Sequence, residues 1–68
     1  MKLIINGEDR TFDGSLSLSS LVETLGMKAD RVAIELNRQI SPRDRWNATH
    51  LTDGDRIEIV QFVGGGNF

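Results

Sequence analysis

The 68-residue chain has no cysteine, a single histidine and a single proline. Without cysteine there is no disulfide framework, no thiolate zinc site and no thiol nucleophile. A domain of this size that lacks such staples rests on the packing of one small core. Long apolar runs are missing too. The N-terminal stretch MKLIINGEDR holds three apolar residues in a row, far from the roughly 20 that a membrane span needs. Charge of one sign is also lacking: eight Lys and Arg stand against ten Asp and Glu, for a net charge of −2. The charges are scattered, so nothing draws the chain to a phosphate backbone or an anionic bilayer. The expectation is a soluble, cytoplasmic, single-domain protein with no nucleic-acid and no membrane partner.

What is present is ordered by periodicity. In MKLIINGEDRTF, Met1, Leu3 and Ile5 alternate, Asn6-Gly7 is the favoured type I′ turn, and Arg10 to Phe12 return, which predicts a hairpin. Leu18, Leu21, Val22 and Leu25 fall at i, i+3, i+4 and i+7 and predict a helix of two to three turns. Ser15 or Ser17 can cap its start, and Gly26 can end it in the left-handed conformation. Val32, Ile34 and Leu36 alternate as a strand; Gln39 and Ile40 begin another that Pro42 keeps short, and a helical turn carrying Trp46 follows. Asp53-Gly54 marks a turn before a last strand in which Ile57 and Ile59 face one way. The order strand, strand, helix, strand, short strand, strand predicts an α+β fold. It fits a ubiquitin-like β-grasp: a mixed four- to five-stranded sheet with one main helix on one face and the first and last strands parallel at the centre.

Side chains able to perform catalysis are few. His50 stands beside a turn without a metal-binding companion and reads as a loop histidine. Ser15, Ser17, Ser19 and Ser20 lie where hydroxyls cap helices. Asp53, Asp55 and Glu58 do not follow a calcium-loop pattern and read as solubilising groups. Arg43, Asp44 and Arg45 read as a solvated turn around a Trp46 anchor. No catalytic residue and no metal ligand is assigned, and so small a domain is expected to lack a substrate-sized pocket.

The end of the chain, IVQFVGGGNF, differs. Residues 1–63 read as the folded domain and residues 64–68 as a flexible tail, because a run of glycine has the most conformational freedom to lose on ordering. Gly64 and Gly65 would let the backbone thread a narrow channel in another protein and deliver a terminal carboxylate there. If Ile57 and Ile59 face the core, then Val60 and Phe62 face the other side of the sheet, together with Ile4 on the neighbouring strand. With Val63 they form an expected docking patch at the tail root.

The pattern AIELNRQISPRDRW…DGDRIEIVQFVGGG resembles the ThiS family of sulfur carriers in thiamin biosynthesis over nearly the whole chain. Its sharpest parts are Asn37, Ile40, Pro42-Arg43 with Trp46, Asp53-Gly54-Asp55 and the glycine tail. The resemblance implies that an E1-like adenylyltransferase uses ATP and magnesium to adenylate the C-terminal glycine, with no cofactor bound by the carrier itself. A cysteine-desulfurase persulfide would then supply sulfur, and the resulting thiocarboxylate, on Gly66, would pass it to thiazole synthase. Family members usually stop at the glycine, whereas Asn67 and Phe68 follow it here; the expectation is that a peptidase removes both. Two other readings stand beside this one: a carrier for methionine, cysteine or molybdopterin synthesis, and a noncatalytic β-grasp interaction domain.

Overall fold

The computed structural model describes residues 1–62. Asn6 and Gly7, at φ 50° and 82°, form the two-residue turn between β1 (Lys2–Ile5) and β2 (Glu8–Thr11). So tight a loop starts the antiparallel ladder at once, pairing Ile5 with Glu8. The returning strand therefore begins at Glu8, two residues before the position read from the apolar pattern.

The helix α1 spans Leu18–Thr24. Of the two candidate caps the structure uses Ser17, whose hydroxyl accepts from the Ser20 amide at 3.1 Å. Gly26, at φ 74°, ends it. The Gly26 amide donates to Glu23 O and the Met27 amide to Val22 O, the paired bonds of a Schellman motif. Two turns are too short to be stable alone, so the helix depends on burying Leu18, Leu21 and Val22 against the sheet.

Three strands complete the sheet: β3 (Val32–Leu36), β4 (Gln39–Ile40) and β5 (Arg56–Gln61). The order is β2-β1-β5-β3-β4, with β1 and β5 parallel at the centre and the other neighbours antiparallel. This is the β-grasp arrangement, with five strands and α1 on one face. Two 3-10 segments, Ala29–Arg31 and Arg43–Ala48, flank the second half of the sheet. Leu3, Ile5, Val32, Ile34, Ile57 and Ile59 line the helix-facing side of the sheet, and Trp46 and Leu51 close the core from the connection before β5.

Polar latches hold the connections. Asp53 accepts from the Lys2 amide at 2.7 Å, and Asp55 accepts from the Thr52 amide at 2.8 Å and from Asn37 Nδ2 at 3.1 Å. Solubility alone therefore does not account for these carboxylates; they fix the turn that launches β5. Arg43 is likewise more than part of a solvated turn. Its Nε donates to Ala29 O at 2.7 Å and its Nη2 to Val32 O at 3.1 Å, tying the two 3-10 segments and the start of β3 together.

Asn37 and Arg38 join β3 to β4 with both φ angles positive, 50° and 72°. Asparagine tolerates that conformation, but a side chain such as arginine crowds the following carbonyl. Arg38→Gly is therefore expected to stabilise the fold by about 0.5–1 kcal/mol, the relief of strain exceeding the extra flexibility of the unfolded chain. Urea unfolding checks it, and a lower midpoint for the variant would contradict the strain.

Candidate functional site

Side chains alternate across a sheet, so the core positions dictate what the opposite face carries. With Ile57 and Ile59 buried, Arg56, Glu58, Val60 and Phe62 project to the side away from α1. The β3 register puts Ala33 beside Val60 and Glu35 beside Glu58. Across the Asn37-Arg38 turn, Ile40 pairs with Glu35 and so joins the same face. Among the described residues no helix covers this surface, and three large apolar side chains stand out on it: Ile40 is 81% exposed, Val60 60% and Phe62 53%.

The structure brings Val60 and Phe62 together, with the small Ala33 beside them. It separates Ile4 from them. Ile4 is half-buried and pairs with Arg56, four residues before Val60 along β5, which is about 13 Å at the usual rise of a strand. Ile40 is the apolar member that the sequence reading left out of the patch. The signal lay in the parity of a two-residue turn, which carries the face of Glu35 over to Ile40.

Two features hold the end of β5. β1 stops at Ile5, and there the Asn6 side chain replaces its backbone: Oδ1 accepts from the Ile59 amide at 2.7 Å and Nδ2 donates to Ile59 O at 3.2 Å. On the other side the Phe62 amide donates to Arg31 O at 2.7 Å, carrying the ladder one residue past the strand. Val63, the boundary after it, Gly64, Gly65, Gly66, Asn67 and Phe68 lie outside the described residues.

Elsewhere the side-chain chemistry is structural. His50 is exposed and lies in an isolated bridge with Ser17. Ser17 and Ser20 hydrogen-bond each other at the helix start. Among the described residues no three His, Cys, Asp or Glu gather as metal ligands, and no helix is long and apolar enough to cross a membrane. An open depression of about 360 Å³, larger than expected of so small a domain, lies in the helical layer between Ser19, Val22, Glu23, Met27, Ala29 and Asn47. Glu23 is the one ionisable group among these six, and no hydrogen bond joins it to the Ser19 hydroxyl one turn away.

A family model described as the ThiS family matches residues 3–66, a span that includes the open face and the three glycines. The chain belongs to the ThiS family. The sulfur carrier protein ThiS of Bacillus subtilis is 34% identical over 65 residues, which cover 94% of this chain and 98% of that one. The crystal structure of the thiamine biosynthesis protein ThiS from Geobacter metallireducens superposes with a TM-score of 0.83 at 39% identity, covering 97% of this chain and all of that one. A thiazole synthase of Paramagnetospirillum magneticum is 43% identical over 67 residues, 98% of this chain. This chain spans about a fifth of the length of the thiazole synthases it matches. Of these relatives, the two of similar length are described as a sulfur carrier and as a thiamine biosynthesis protein.

Proposed function

We propose that this chain carries sulfur as a thiocarboxylate on Gly66 and donates it to a thiazole synthase. The observation that carries the proposal is the continuity of the exposed end of β5, with Val60 and Phe62, into Gly64, Gly65 and Gly66 in a ThiS-family chain. Chemistry requires Gly66 to bear a free carboxylate, so a peptidase that releases Asn67 and Phe68 belongs to the cycle. An E1-like enzyme then binds ATP with magnesium. The Gly66 carboxylate attacks the α-phosphorus, forming an acyl adenylate and expelling pyrophosphate. A persulfide from a cysteine desulfurase attacks the acyl carbon and expels AMP. Reduction of the resulting acyl disulfide by a thiol leaves the thiocarboxylate.

Gly64 and Gly65 are assigned to threading, because a backbone without side chains passes a channel that any Cβ would narrow. The sheet face holds the carrier while the tail reacts, converting the attack into an effectively unimolecular step. The match to one stretch of longer thiazole synthases supports that acceptor, since in those proteins the two functions would be tethered. The carrier itself needs no metal or cofactor, and the cycle belongs in the cytoplasm, where ATP and reduced thiols are at hand.

Intact-mass measurement tests the cycle. Protein ending at Gly66, mixed with the E1-like enzyme, ATP, magnesium and the sulfur source, is expected to gain the mass of one oxygen-to-sulfur exchange at its terminus. No gain, or the same gain on a chain still ending at Phe68, would overturn the assignment to Gly66.

A further inference from the structure

The open face carries a pair of like charges at its centre. Glu35 and Glu58 stand directly opposite each other on β3 and β5, and both are exposed. The amides of Phe62 and Asn37 donate across the same two strands to Arg31 O and Arg56 O. Pairs alternate from there, so Glu35 and Glu58 form a hydrogen-bonded pair, with Cβ atoms about 5 Å apart. Like charges so placed destabilise a sheet. Among the described residues the single ion pair is Lys2 with Asp9, 3.4 Å apart, so neither glutamate is in a salt bridge, although Arg56 shares their face two residues from Glu58. Ile40 flanks the pair on the β4 side, and Val60 and Phe62 follow it toward the tail.

We propose that the Glu35–Glu58 pair receives an arginine or lysine of the adenylating partner, with Ile40, Val60 and Phe62 as the apolar surround. The inference rests on the carrier reading above and specifies its first partner. Charge complementarity selects the occupant. An enzyme that brings a carboxylate to a triphosphate must hold cations about that cleft, and a carrier of net charge −2 is steered toward them. An arginine presents a planar fork that can bond both carboxylates at once. The surrounding apolar contacts exclude water and strengthen that bond. Ile40 thus acts as part of the interface although it lies on the edge strand farthest from β1.

Substitution separates this role from a structural one, because the two move stability in opposite directions. In the free protein Glu58→Gln, Glu35→Gln and the double variant remove repulsion, and the melting temperature is expected to rise by about 1–3 °C. Affinity for the purified E1-like enzyme, measured by calorimetry on protein ending at Gly66, is expected to fall about tenfold in the double variant, with a weaker salt dependence than the parent. Ile40→Ser should weaken binding with little change in melting temperature. Unchanged affinity in the double variant, in a protein that still acquires sulfur, would overturn the proposal while leaving the carrier reading intact. A parent that acquires no sulfur would overturn the carrier reading instead. A defect confined to transfer onto thiazole synthase would overturn the choice of partner.

Discussion

Trp46→Ala is expected to leave the chain largely unfolded at room temperature. The indole is 2% exposed and packs into the core beside α1, and its Nε1 donates to Ser41 O at 2.8 Å. The Arg43 guanidinium lies over the ring, 5.4 Å from its centre. Truncating a buried tryptophan costs about 3–5 kcal/mol, which matches what a single core of this size supplies in total. Trp46→Phe keeps most of the apolar volume but leaves the Ser41 carbonyl without its donor. It should fold with a loss of about 1–3 kcal/mol. Circular dichroism through a urea titration reads both. A Trp46→Ala protein with a native spectrum and a midpoint close to the parent's would show that the connection before β5 is not part of the cooperative core.

The same contacts explain why the Pro42-Arg43-Asp44-Arg45-Trp46 stretch is so recognisable. Pro42 opens the 3-10 segment, Arg43 bonds back to Ala29 O and Val32 O, and Trp46 fills the space beneath. Asn37 and the Asp53-Gly54-Asp55 turn form a second latch, in which Asn37 Oδ1 accepts from the Arg56 amide while Nδ2 donates to Asp55. The residues that carry the resemblance outside the glycine tail are thus largely those that set the sheet's geometry. They place the open face that carries Ile40, Val60 and Phe62.

Alternation and turn chemistry are local properties, and they made most of the fold legible. The Asn6-Gly7 hairpin, the helix stripe of Leu18, Leu21 and Val22, and the outward set of Val60 and Phe62 all follow from periods of 2 and 3.6. Where the signal is nonlocal the reading fell short. Arg43 looked solvated because its acceptors lie 11 and 14 residues away. Ile4 was grouped with Val60 by face alone, whereas the parallel register between β1 and β5 sets the two apart along the strand. Ile40 is a different, local case: it lies in the short edge strand the pattern indicates, and the face it shares with Glu35 follows from the two-residue Asn37-Arg38 turn, which the strand periodicity alone does not announce.

Asn6 is the clearest case of a residue with one role legible in sequence and another visible only in three dimensions, and its removal should be nearly as costly as that of Trp46. Locally it supplies the left-handed φ of 50° that the hairpin requires. At a separation of 53 residues it also bonds both backbone groups of Ile59. Asn6→Gly keeps the conformation but strips those partners, for an expected loss of about 2–3 kcal/mol. Asn6→Ala adds the strain of a Cβ at positive φ, about 1 kcal/mol more. The difference between the two variants isolates the turn from the clamp. Amide hydrogen exchange localises the effect: in the folded Asn6→Gly protein the Ile59 amide should lose far more protection than the Glu35 amide, which sits in a hydrogen-bonded pair with Glu58 on the neighbouring strand. Equal protection at Ile59 in parent and variant would show that the side chain does not hold β5. Because Val60 follows Ile59 directly and Phe62 lies two residues beyond it, loosening this clamp should also weaken binding to the adenylating enzyme, although Asn6 is not one of the apolar contacts.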